Sequence, residues 1–130
     1  MIDTTNITGI QHVGFPVKDI ERTLAFYNGL GFETVHRTAA PDGTPVGFLK
    51  LGNCVLEVYR DPCPPCKAGA VDHFSLDVRN IDRVYEEVKE AGYPITTRGI
   101  EELPFWEKGV RFFKTEGPDK ESVEFCEIVK

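Results

Sequence analysis

The stretch HVGFPVKDIERTLAFYNGLGF, beginning at His12, is echoed by HFSLDVRNIDRVYEEVKEAGY, beginning at His73. Laid over one another, His12 meets His73, Val17 meets Val78, Ile20 meets Ile81, Arg22 meets Arg83 and Gly31 meets Gly92. Conservative pairs surround these identities: Lys18 with Arg79, Asp19 with Asn80, Glu21 with Asp82 and Phe32 with Tyr93. Unrelated segments of this length would share about one identity at ordinary residue usage. A chain that carries the same segment twice is constrained to fold as two copies of one supersecondary unit.

The local pattern names that unit. In QHVGFPV the apolar Val13, Phe15 and Val17 alternate with His12, Gly14 and Pro16, and in DHFSLDV Phe74, Leu76 and Val78 alternate with His73, Ser75 and Asp77. Each is a strand with one apolar face. Asp19 and Asn80 stand where a helix N-cap belongs, and Gly31 and Gly92 stand where a helix closes. Between them Ile20, Leu24 and Tyr27, and likewise Ile81, Val84, Tyr85 and Val88, recur at helical spacing. Further strands are expected near 33–38, 46–51 and 54–60 in the first copy, and near 95–99, 110–115 and 122–129 in the second. The expected fold is α+β: a single 130-residue domain of two tandem βαβββ modules, about 8–60 and about 71–129. The proline-rich YRDPCPPCKAGA supplies a linker over about 61–70.

Composition narrows the partners. The formal net charge is −6 and the pI about 5.1, which speaks against nucleic acid or an anionic membrane surface as partner. No apolar run reaches bilayer length, and MIDTTNITGI lacks the features of a secretory signal. A cytoplasmic protein with reduced cysteines is expected.

Strand parity also selects candidate ligands. In NCVLEVY, Cys54, Leu56 and Val58 belong under the helix, which places Glu57 on the other face with Val55 and Tyr59. In SVEFCEIV, Val123, Phe125 and Val129 belong under the helix and Glu124 lies opposite with Ser122 and Cys126. Each module thus puts one histidine and one glutamate on its uncovered face. If the two sheets curl together, His12, Glu57, His73 and Glu124 converge. Two imidazoles and two carboxylates suit a divalent transition metal with positions left for water or substrate.

These residues resemble the vicinal oxygen chelate superfamily of glyoxalases, bleomycin-resistance proteins and dioxygenases. HVGFPVKDIERTLAFYNGLGF looks like that family's opening, and GPDKESVEFCE resembles its closing turn and strand. The resemblance implies an open, cup-like mixed β-sheet with helices on its convex face and one divalent metal per chain (nickel, cobalt, zinc or manganese). It implies His12, Glu57, His73 and Glu124 as ligands, Glu124 as catalytic base and Glu57 as its counterpart, and a homodimer.

The implied activity is that of a metal-dependent lyase or isomerase of the glyoxalase I type, acting on a small oxygen-rich carbonyl substrate. Extradiol dioxygenases and fosfomycin-modifying enzymes would have no ligand at Glu57, and methylmalonyl-CoA epimerases an amide. Pro16 and Asp61 stand where glyoxalase I carries its glutathione-contacting arginine and asparagine, so glutathione is not the expected co-substrate. A metal-free, ligand-sequestering protein, an epimerase and a dioxygenase are the alternatives.

Other residues have roles that the repeat does not assign. Tyr59, Phe105, Trp106 and Arg111 are candidates for the substrate pocket, against packing at a rim for the aromatics and surface solvation for the arginine. His36 reads as a surface residue. Cys63 and Cys66 form a CxxC, which suits a redox pair, half a zinc site, or a loop with two incidental thiols.

Overall fold

The structure is a computed structural model that describes residues 3–6 and 10–130. The expected start of the first module near residue 8 lies outside the described residues. The chain divides into two compact units, Met1–Pro62 and Cys63–Lys130.

The first unit contains β1 (Val13–Val17), α1 (Ile20–Gly29), β2 (Glu33–Ala39), β3 (Pro45–Leu51) and β4 (Cys54–Arg60). Its sheet has the order β1-β4-β3-β2, with β1 parallel to β4 and the other pairings antiparallel. The second unit contains β5 (His73–Asp77), α2 (Ile81–Glu90), β6 (Glu101–Leu103), β7 (Val110–Glu116) and β8 (Ser122–Ile128). Its sheet repeats the plan as β5-β8-β7-β6. The α+β class and the two βαβββ modules are as expected. A short 3₁₀ turn at Thr4–Asn6 precedes them.

Alternation decides what each sheet buries. Leu56, Val58 and Leu49 have no exposed surface and lie on the side that α1 covers with Ile20, Leu24 and Tyr27. Gly47 on β3 lets the helix come this close, because an added Cβ would stand 3.1 Å from Leu24 Cδ2. In the second unit Phe113, Val123 and Phe125 form the buried face. Phe113 stacks on Phe125 at 4.8 Å and meets Tyr85 of α2 edge-on at 5.2 Å. Burying side chains of this size is worth about 1.5–3 kcal/mol each.

Both helices end alike. Gly31 and Gly92 take left-handed φ values of 106° and 89°. Gly31 N–H donates to Asn28 O and Phe32 N–H to Tyr27 O, while Gly92 donates to Lys89 O and Tyr93 to Val88 O. This is the same pair of closing bonds in each copy. The starts differ. Asp19 and Asn80 accept from Arg22 and Arg83 N–H alike, but Asp19 is extended whereas Asn80 is left-handed with φ 54°. At α2 the Glu127 carboxylate, from β8, also accepts Ile81 N–H at 2.8 Å.

One strand expectation is corrected. The segment 95–99 is not a strand: Ile95 makes a single bridge to Thr115, and the strand that follows α2 is Glu101–Leu103. The Thr97 hydroxyl accepts Lys114 N–H and itself donates to Gly99 O. A side chain thus takes the place of the carbonyl a ladder would offer. Gly99, at φ 98°, then turns the chain out of line. Among the described residues no helix is long and apolar enough to cross a membrane.

Candidate metal-binding half-sites and family membership

The parallel pairing of β1 with β4 sets Gly14 opposite Glu57, one step beyond His12. A Cβ on Gly14 would lie 3.8 Å from Glu57 Oε1 and 3.9 Å from His12 Cδ2, so the small residue keeps the space between the two side chains open. His12 Nε2 and Glu57 Oε2 stand 3.7 Å apart. The second unit does the same through β5 and β8: His73 Nε2 lies 3.0 Å from Glu124 Oε2. Both pairs lie on the sheet face away from their helix, as parity requires.

A feature that sequence periodicity does not reveal fixes both rings. Gln11 Oε1 lies 2.8 Å from His12 Nδ1, and Asp72 Oδ2 lies 2.9 Å from His73 Nδ1. Each acceptor belongs to the residue immediately before its histidine, and these two positions also match in the repeat. With the hydrogen on Nδ1, each Nε2 presents a lone pair toward a glutamate oxygen. Two acceptors facing at 3.0 Å repel unless a second ring proton or a cation lies between them. Two donors each about 2.1 Å from one ion stand about 3.0–3.4 Å apart, so the second pair has ligand spacing and the first, at 3.7 Å, stands wider. The hydrogen bond from His73, and then the charges of Lys114 and His73, hold the Asp72 carboxyl below its ordinary range against slight desolvation.

Each unit therefore offers a pair. Among the described residues no group of three or more histidine, cysteine, aspartate or glutamate side chains is close enough to hold an ion. Glu124 exposes 13% of its side chain and Glu57 28%, so Glu124 is the better sheltered carboxylate.

Around the first pair, Glu57 and Tyr59 line a cavity of about 460 Å³ with Ala40, Val46, Arg60 and Asp61. Phe48 stands opposite Glu57 in the β3–β4 register. Its ring meets His12 at 6.1 Å and His36 at 5.8 Å. His36, read from sequence as a surface residue, is exposed but belongs to this aromatic shelf. The signal for it was the alternation of β2 and β3, had it been carried past the strands bearing the ligands.

The remaining candidates fall elsewhere. Phe105 and Trp106 lie in the β6–β7 turn, 55% and 73% exposed, and Trp106 borders hollows of about 650 and 660 Å³. Arg111 lies on the helix side of its sheet, where its guanidinium makes bonds of 2.8 and 2.9 Å to Asp82. The structure does not bring it to the His73–Glu124 face.

A sequence model of the Glyoxalase/Bleomycin resistance protein/Dioxygenase superfamily matches residues 9–125. The chain belongs to that superfamily. Members of this superfamily are usually enzymes. Among its relatives is human mitochondrial methylmalonyl-CoA epimerase, 31% identical over 96 residues that cover 65% of this chain and 54% of the epimerase. The chain thus spans about half the length of that relative. A glyoxalase family protein from Enterococcus faecalis superposes with a TM-score of 0.79 at 23% identity, covering 94% of this chain and 99% of that one. The fosfomycin resistance protein FosX from Listeria monocytogenes, solved with manganese(II) and sulfate, superposes at 0.71 with 15% identity, covering 95% and 94%. These two likenesses show the fold alone.

Proposed function

We propose that this superfamily member is a divalent-metal-dependent enzyme that moves a proton on the carbon beside a carbonyl, as an isomerase or epimerase of a small oxygen-rich substrate. The observation that carries this reading is the repeated pair, His12–Glu57 and His73–Glu124, each imidazole fixed at Nδ1 with Nε2 aimed at a carboxylate. The four residues would hold one ion, supplied by one chain or completed in a symmetric homodimer. A bound nickel, cobalt, zinc or manganese ion supplies Lewis acidity toward the oxygens of the substrate.

The chain's own residues supply the rest. Glu124, the more sheltered carboxylate, accepts the proton from carbon, and Glu57 is available to return it. Gln11 and Asp72 hold the rings so that the glutamates keep their places. The cavity beside Glu57 and Tyr59 receives the body of the substrate. Pro16 and Asp61 stand where glyoxalase I carries the side chains that contact glutathione. This supports a substrate other than the glutathione adduct of glyoxalase I. The likeness to an epimerase supports carbon-acid chemistry as the reaction class.

A second reading, metal-free sequestration of a flat ligand, draws on the His12–Phe48–His36 shelf. One set of measurements separates the two. Plasma mass spectrometry on untagged protein should find a divalent metal that His73→Ala loses. Exchange of the carbon-bound proton into deuterated water should then be followed by NMR on α-hydroxycarbonyls, on thioesters of 2-substituted acids, and on methylglyoxal with glutathione. Glu124→Gln should keep metal yet lose exchange by about 100-fold or more. Equal metal in the wild type and His73→Ala sinks the proposal, and tight binding of a planar ligand by metal-free protein without any exchange establishes the second reading.

A further inference from the structure

The CxxC at Cys63–Cys66 takes no part in the chemistry above, and its surroundings are unlike those of a loop with idle thiols. Cys66 Sγ donates to Asp119 Oδ1 across 3.8 Å, joining residues 53 positions apart. Asp119 is a carboxylate with only 5% of its surface exposed. It sits in the turn before β8, where Gly117 N–H donates to Glu121 O, Lys120 N–H to Gly117 O and Asp119 N–H to Glu121 Oε1. Cys66 holds a left-handed φ of 53°, which a side chain adopts only when its surroundings require it. Pro64, buried, and Pro65 fix φ between the two thiols. Neither cysteine is in a disulfide, and both are exposed.

We propose that Cys63 and Cys66 form a thiol–disulfide exchange site for low-molecular-weight disulfides, with Asp119 as proton acceptor for Cys66. Because the Cys66 S–H is donated to the carboxylate, Cys66 is the resolving sulfur and Cys63 is the sulfur that attacks. The Cys63 thiolate bonds to one sulfur of a small disulfide, RSSR, and the S–S bond of that molecule breaks to release RS⁻. Asp119 then takes the Cys66 proton. The new thiolate bonds to Cys63 Sγ, the mixed disulfide breaks, and the second RS⁻ leaves. The dithiol loses two electrons to RSSR, and the two thiolates leave as RSH after protonation, one by way of Asp119 and one from solvent. The other two cysteines are poor competitors: burial pushes the Cys54 thiol up, and burial followed by the charges of Glu124 and Asp77 does the same to Cys126.

The site is independent of the metal proposal and is tested on the whole protein with glutathione disulfide. After equilibration in glutathione buffers, maleimide labelling read by mass spectrometry should show two thiols lost together. Peptide mapping should place the crosslink between Cys63 and Cys66. Cys66→Ser should stop at a glutathionyl adduct on Cys63. Asp119→Asn should close its disulfide about a hundredfold more slowly near neutrality, and this deficit should shrink in alkaline buffer, where hydroxide removes the thiol proton unaided. A folding defect would not shrink with pH in that way. Thiols lost singly, a crosslink to Cys54 or Cys126, or equal closure rates at every pH in Asp119→Asn would each overturn the proposal.

Discussion

The two units were built from one sentence and differ in how they hold it. In the first, α1 buries Ile20, Thr23, Leu24 and Tyr27 over a sheet whose outer strand, β2, has seven residues. In the second, α2 buries only Ile81 and Val88 along its length, and the corresponding strand has three residues. The ligand pairs differ in the opposite sense. The second is closer, 3.0 Å against 3.7 Å, and its histidine leans on a carboxylate where the first leans on an amide. A carboxylate on Nδ1 makes Nε2 a stronger donor than an amide does. Duplication thus left one copy with the larger share of the core and the other with the stronger electrostatics around its histidine.

The largest expected contrast is in stability. Tyr27 and Val88 occupy the same place in the repeat, but Tyr27 is fully buried among Phe15, Phe26 and Phe32. Tyr27→Ala should cost about 3–5 kcal/mol in chemical denaturation, and Val88→Ala about half that or less. Equal losses would show that the two helices share the core evenly.

Next comes the metal. Asp72→Asn should weaken binding of manganese or nickel, titrated calorimetrically into metal-stripped protein, by about 10–100-fold. Gln11→Ala should weaken it less, and the reverse order would dissolve the asymmetry between the pairs.

The smallest effect concerns a clamp that the units make differently: Arg37 meets Glu21 of α1 through one bond of 2.8 Å, and Arg111 meets Asp82 of α2 through two. The Arg111 guanidinium holds the Asp82 carboxyl below its ordinary value of 3.8 by hydrogen bonding and charge. A depressed carboxyl adds stability that is present above the unfolded value and lost as pH falls through the folded one. Asp82→Asn should therefore lower Tm slightly near neutrality, and the two melting curves should converge in acid, once pH has fallen through the lowered folded value. A gap that persists in acid would assign the loss to packing rather than charge.

What could be read from the residues alone follows from what has a period. The strands bearing His12, Glu57, His73 and Glu124, and the glycine closures of both helices, are written in alternation, in 3.6-residue spacing and in single residues with one conformational use. Those pairs were therefore legible. The bonds of Gln11 and Asp72 run between neighbours in the chain and obey no period, and Asp119 reaches Cys66 across 53 positions, so neither left a local trace. The misplaced strand at 95–99 has the same origin, since Thr97 answers a backbone N–H with its side chain. The face that Arg111 takes has a related origin: its bonds to Asp82 span 29 positions, and a guanidinium on the helix side looks, in sequence, like one on the open side until its strand is placed.

The β2–β3 register shifts between Thr34 and His36, leaving Val35 as the extra residue of a bulge, half exposed on the outer strand of its sheet. An outer strand offers unpaired amides to any neighbour in solution, and a bulge spoils the flat template that a second strand would need. Its consequence is colloidal. Deleting Val35 should leave the interior intact yet straighten this edge, and the protein that results should cloud at concentrations where the wild type stays clear.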